Sequence, residues 1–210
     1  MTEHEFRTLA SEEIYRGKIL ALRSDTVTMP DDRTAVREVV EHFGAVAIVA
    51  LDTDDTLILV RQYRHPVERR MLELPAGLLD VAGEDPVDAA RRELAEEVGL
   101  GAREWSVLVD VAASPGFTDE VVRVYLARQL HPVDRDAPQF EEADMVTVRM
   151  PLGEAVAAVF DGRIVNASAV SGILAAALHS APGGPATRPA HAPFDLRPTA
   201  LDHRIGSGDR

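Results

Sequence analysis

Cysteine is absent from the 210 residues, which excludes disulfide bridges and thiolate metal sites and suits a reducing cytoplasm. Positive charge is also scarce: 22 lysines and arginines face 35 aspartates and glutamates, a formal net charge of −13. With no basic run to offset it, this balance argues against a nucleic-acid partner. Long apolar runs are missing too. The longest, Ala45–Leu51, falls far short of the roughly 20 residues needed to cross a bilayer. The opening MTEHEFRTLA has neither the basic nor the apolar region of a secretion signal. The expectation is a soluble, cytoplasmic protein with no membrane or nucleic-acid partner. Aromatics are few, and the single tryptophan, Trp105, reads as a packing residue rather than a stacking platform. Seven histidines are scattered without metal-ligand spacing.

What is present is carboxylate at close spacing. In GLLDVAGEDPVDAARRELAEEVGL, from Gly77 to Leu100, Glu93, Glu96 and Glu97 fall within about one helical turn, just after Arg91 and Arg92. Asp85 as N-cap, Pro86 at the first helical position, Asp88 in the first turn and Gly99 past the end predict a helix with well-marked limits. Val87, Ala90, Leu94 and Val98 share one stripe of it, with Glu93 and Glu97 along its margin. Like charges four residues apart cost an isolated helix roughly 0.2–0.5 kcal/mol per pair, so a bound cation would offset a standing repulsion. Hard oxygen ligands of this kind suit magnesium, manganese or calcium. Glu96, rotated toward solvent, either completes the cluster or pairs with Arg92 four residues earlier.

Glu84, Arg92, Glu93, Leu94, Glu96, Glu97, Gly99 and Leu100 together resemble the signature of the Nudix family: a glycine and a glutamate, then Arg-Glu-apolar-x-Glu-Glu-x-Gly-apolar. Gly77 stands seven positions before Glu84 where the family pattern has six, so the loop ahead of the helix carries one extra residue. The resemblance implies an α/β/α sandwich and a Mg2+ cofactor, with Mn2+ as substitute. The cation would be held by Glu93, Glu96, Glu97, the main-chain carbonyl of Ala76 and a loop glutamate, Glu142. Arg92 would orient the helix glutamates, and Glu142 would act as general base, with Glu141 and Asp144 as substitutes. On local sequence alone, Pro75 and Gly77 equally describe a plain turn, and Glu141–Asp144 a solvated acidic loop.

Pro115, fifteen residues after Leu100 within Ser114-Pro115-Gly116, resembles the mark of the family's ADP-ribose pyrophosphatase branch. That likeness implies splitting of ADP-ribose into AMP and ribose 5-phosphate, in a pocket lined by Leu78, Ser114, Pro115, Gly116 and Glu120. Arg64, within the basic group Arg61, Arg64, His65, Arg69 and Arg70, would meet phosphate. Arg37 and Glu38 would reach the adenine and ribose end from a partner subunit. Taken alone, Arg37 and Glu38 also read as paired strand-face charges. Two rival functions stay open: a Nudix hydrolase of another nucleotide or nucleoside diphosphate derivative, and a non-catalytic sensor of ADP-ribose or a nucleotide.

Patterning predicts an α+β chain with a mixed sheet. Lys18–Arg23, Asp25–Met29 and Thr34–Glu41, with a turn at Pro30-Asp31-Asp32, form a small antiparallel sheet assigned to residues 1–42. Residues 43–180 form the main domain. Its predicted strands are Ala45–Leu51 and Thr56–Tyr63 as a hairpin, then Glu104–Val111, Val121–Gln129 and Met145–Met150. Its late helices are Leu152–Phe160 and Asn166–Ser180. Residues 181–210, rich in Pro, Gly, Ala, Arg and His, read as a mobile tail. By the same resemblance a homodimer with exchanged N-terminal sheets is expected, acting on a small nucleoside diphosphate sugar.

Overall fold

The computed structural model describes residues 4–134 and 144–206, with side chains to Arg204. Three antiparallel strands come first, β1 (Thr8–Arg16), β2 (Leu20–Thr28) and β3 (Thr34–His42), in the order β1-β2-β3. The β2–β3 turn places Asp31 and Asp32 at φ 65° and 55°, a left-handed conformation that aspartate tolerates better than most residues. Two features differ from the sequence reading. Lys18–Arg23 and Asp25–Met29 merge into the one strand β2, because Ser24 pairs with Glu38 in the middle of the ladder. Strand β1 went unpredicted because it is exposed throughout, so no alternation of apolar and polar residues marks it.

The second set of elements is built around β4 (Ala45–Leu51), buried along its whole length. It is followed by β5 (Thr56–Arg64), β6 (Arg69–Glu73), β7 (Ala76–Leu78), helix α1 (Pro86–Val98), β8 (Leu100–Ala112), β9 (Val121–Pro132), β10 (Val146–Pro151), α2 (Leu152–Phe160) and α3 (Ala167–Ser180). β4 runs parallel to β9 and antiparallel to β5 and β7, so the sheet is mixed. The expected β4–β5 hairpin pairs only at Ala50–Ile58 and Leu51–Leu57 before the two strands part. Val46, Ile48 and Ala50 pack on one face against Val87, Ala90 and Leu94 of α1. Ala47, Val49 and Leu51 pack on the other against Ala155 and Ala158 of α2 and Ile173 of α3. Two covered faces explain why this strand reads as continuous apolar sequence rather than as an alternation. The result is the α/β/α sandwich with a separate small β sheet.

The chain divides into two compact units. One holds residues up to Gly44 with 112–121 and the chain from Leu196; the other holds 45–111 and 122–195. The expected mobile tail is corrected by this arrangement. Arg188–Pro189 form strand β11, paired with Ser106 and Val107 of β8, and Ala200–Gly206 form helix α4, in which Leu201 is fully buried. The chain before α4 is fixed by Arg123, a β9 residue 1% exposed. Its guanidinium bonds Asp110 at 2.8 and 3.1 Å, donates to the carbonyls of Ala192 and Pro193 at 2.6 and 2.7 Å, and lies 4.0 Å from the Phe194 ring centre. Arg188 adds a 2.8 Å bond to Asp110. Composition of the tail carries no trace of this anchor, which lies some seventy residues upstream.

Removing a buried, fully engaged guanidinium strands its partners. Arg123→Ala should therefore lower unfolding free energy by about 3–5 kcal/mol, measured by urea denaturation, and should free residues 188–195 to early proteolysis.

Candidate active site

Helix α1 starts and stops where its sequence says. The Asp85 side chain accepts from Val87 N–H at 3.0 Å, Pro86 opens the first turn, and Gly99 closes the last at φ 67°, its N–H bonded to the Ala95 carbonyl. Such a cap contributes about 1 kcal/mol and sets the phase of the turn that carries Glu93, Glu96 and Glu97. Glu97 is buried and Glu96 exposed. The sandwich core holds that turn against β7. There the Ala76 N–H donates to Glu97 Oε2 at 3.0 Å. A Cβ added to Gly77 would overlap the carboxyl of Glu93, so the carboxylate occupies the space a side chain would fill. This is the close backbone approach for which a strand glycine is suited.

Arg92 organises the acids. It bonds Glu84 at 3.1 Å through both Nε and Nη2, Glu93 at 2.6 Å and Glu96 at 3.2 Å. The hydrogen bonds to Glu84, foremost, raise its pKa further, so it is always charged. Burial pushes Glu93 up to about 7, an effect Arg92 opposes and the charges of Glu96 and Asp80 reinforce. Among the described residues, no three His, Asp or Glu side chains converge as a metal cage.

Arg64 lies in β5, its guanidinium 2.8 Å from buried Glu73, which also accepts from Gln62 Nε2 at 3.4 Å. Leu78, half-buried in β7, pairs with Ala45. Asp144 is exposed and bonded to Arg70 at 2.5 Å, which holds it below the usual carboxylate range. Glu141 and Glu142 lie outside the described residues. In the other unit, the turn from Ser114 to Phe117 closes on the Ser114 carbonyl, which accepts from the Phe117 and Thr118 N–H groups at 3.1 Å. Pro115 and Gly116 are exposed at its tip. Glu120 sits 3.9 Å from His42 Nδ1. Arg37 and Glu38 are exposed on β3, and Arg37 donates to the Val36 carbonyl at 2.9 Å. Trp105 meets Tyr125 edge-on at 6.2 Å at the margin of the α1 core, the packing role expected of it.

A model described as the NUDIX domain matches residues 40–169, and one described as the nucleoside diphosphate sugar hydrolase N-terminal domain matches 6–40. The chain belongs to the Nudix family. It is 52% identical over 205 residues to a protein of Mycobacterium tuberculosis named ADP-ribose pyrophosphatase, covering 97% of this chain and 98% of that one. To a Bacillus subtilis protein of the same name it is 39% identical, over 70% of this chain and 82% of the other. A solved structure described as an ADP compounds hydrolase superposes with a TM-score of 0.73 at 27% identity, covering 84% of this chain and 95% of that one. Among the described residues of this Nudix protein, no helix is long and apolar enough to cross a membrane.

Three residues escaped the sequence reading. Glu84, noted only as a family position, is the main anchor of Arg92. Glu73 is the buried partner of Arg64. Gly77, noted only as the family glycine and as a turn residue, makes room for Glu93.

The pKa of Glu93 gives a pH dependence with a definite sign. Its folded value, about 7, lies above the ordinary 4.5, so between these values the folded protein binds more proton than the unfolded chain. Metal-free protein therefore loses stability from this group as pH rises from about 4.5 to 7, on the order of 2–3 kcal/mol. Urea unfolding in chelator at pH 5 and pH 8 should show that loss in the wild type relative to Glu93→Gln.

Proposed function

We propose that this Nudix hydrolase cleaves the pyrophosphate bond of ADP-ribose, giving AMP and ribose 5-phosphate, with Mg2+ as cofactor and Mn2+ as substitute. The observation that carries the reading is the carboxylate of Glu93, seated in the space that a side chain at position 77 would fill, with buried Glu97 on the same turn. The donor set fits a divalent cation: its oxygens are hard, and Glu93 is an anion whose burial Arg92 does not fully offset. Magnesium commonly takes only one or two protein carboxylates, with water and substrate phosphates filling the other positions, so a cage of three acids is not required. Glu93 and Glu97, with Glu96, the Ala76 carbonyl and Glu142, would hold it. A divalent cation supplies polarisation of phosphoryl oxygens and a lowered pKa for bound water.

The protein's own groups do the rest. Arg92 keeps Glu93 and Glu96 in place without touching substrate. Glu142 takes the proton of the attacking water, a role worth roughly 10²–10⁴-fold in rate. Arg64, steadied by Glu73, faces substrate phosphate with the bidentate geometry that lysine lacks. Leu78 in the sandwich unit, and Ser114, Pro115, Gly116 and Glu120 in the other, are assigned contacts to the sugar and diphosphate, and Arg37 and Glu38 contacts to the adenine and ribose end. A homodimer with exchanged N-terminal sheets completes the reading, supported by the exposure of Leu9, Ile14, Tyr15 and Val36 on that sheet. The absence of cysteine suits a cytoplasmic setting.

Turnover of ADP-ribose, NADH, other nucleoside diphosphate sugars and nucleoside triphosphates in Mg2+ tests this. ADP-ribose should rank first by kcat/KM and yield AMP, Glu142→Gln should lose about 10²-fold or more in kcat, and chelator should abolish turnover. ADP-ribose ranking far below another substrate would defeat the assignment.

A further inference from the structure

Strand β3 carries two different loads within the unit it shares with 112–121 and α4. On its edge sits the loop after β8: Val40 N–H donates to the Phe117 carbonyl at 2.7 Å, Asp119 N–H to the Val40 carbonyl at 3.2 Å, and His42 N–H to Asp119 Oδ1 at 2.8 Å. Val40 and Thr118 form a parallel bridge, so the loop extends the N-terminal sheet by a short fourth edge. Between Val40 and His42 stands Glu41, which has no exposed surface. Arg204 of α4 grips both its oxygens, Nε to Oε2 at 2.6 Å and Nη2 to Oε1 at 3.0 Å. Arg23 of β2 takes Glu41 as well, while bonding Asp25 at 2.8 Å. Arg204 also lies 3.5 Å from Glu13 of β1, and its carbonyl accepts from Arg16 at 3.2 Å.

A buried carboxylate is tolerated only when fully paired. Without Arg204, Arg23 is left to serve two buried carboxylates, Asp25 and Glu41. The segment that must adjust is the one whose neighbouring amides hold the loop, because Glu41 alternates with Val40 and His42 along β3.

We propose that Arg204 is a positioning residue for substrate binding: through Glu41 it fixes the Val40–His42 stretch of β3, and so the shape in which Ser114–Glu120 meets ADP-ribose. This rests on the reading that the loop lines the substrate pocket. Arg204 touches no substrate, and its effect falls on binding rather than on the chemical step. The two-pronged guanidinium contact is the part that matters, because it orients the carboxylate as well as neutralising it.

The test uses the full chain with Mg2+ and compares Arg204→Ala, Arg204→Lys and Glu120→Gln for ADP-ribose kinetics and for amide hydrogen exchange. Arg204→Ala should raise KM about tenfold or more with kcat within about twofold, and should speed exchange at Val40, His42 and Asp119. Arg204→Lys keeps the charge but loses the fork, and should fall between wild type and Arg204→Ala in both readouts. It also serves as the folded comparison if Arg204→Ala melts near the assay temperature. If Glu120→Gln raises KM while both Arg204 variants match wild type in KM and exchange, the proposal is overturned and the pocket reading stands. If neither Glu120→Gln nor the Arg204 variants move KM, the loop does not bind substrate, and both readings fall. Loss of kcat at unchanged KM in the Arg204 variants would also overturn it.

Discussion

Arg92 binding Glu84, Glu93 and Glu96 at once is the interaction on which the site depends. Glu93, Glu96 and Glu97, within five residues of one helix, would repel one another and splay if left alone. The guanidinium draws Glu93 and Glu96 in, while Gly77, by having no side chain, lets Glu93 settle against β7. Glu97 needs no such help, because the Ala76 N–H fixes it from the strand side. The acidic turn is thus held in shape by the protein's own groups, and preorganisation of this kind is what would let the proposed metal site act without reorganising during catalysis.

The sandwich exists to hold that turn at that strand. β4 faces α1 on one side and α2 and α3 on the other, so α1 cannot rotate without exposing Val87, Ala90 and Leu94. Gly172 of α3 serves the same end: a Cβ there would crowd Leu74, Val124 and Val49, so the helix lies close on its face of the sheet. Leu74 stands next to the Pro75-Ala76-Gly77 stretch, linking the packing of one face to the site on the other.

How much of this was legible depended on whether the signal was local. The limits of α1 were readable because Asp85, Pro86 and Gly99 act through bonds inside their own turn. α2 was readable to its ends, and β4 stood out as the longest apolar run. The acidic pair was readable from spacing alone. By contrast, β1 left no pattern because no face of it is buried. β6 and β7 are too short for a period to register. The expected loose tail was wrong because Arg123, in a strand far upstream, donates to the carbonyls of Ala192 and Pro193, and Asp110 accepts from Arg188, contacts that composition does not reveal. Glu41, inside a predicted strand, gave no hint that Arg204 closes over it. Contacts between distant residues decide these cases, and a strand or tail read by itself cannot contain them.

The central claim is that the space left by the missing side chain of Gly77 seats the Glu93 carboxylate as a cation ligand. Mn2+ titration followed by electron paramagnetic resonance, on wild type and on Gly77→Ala shown to be folded, tests it most directly. The account predicts that wild type binds Mn2+ and that Gly77→Ala binds it at least about tenfold more weakly, because the methyl group evicts the carboxylate. Equal affinity in the two proteins would contradict it.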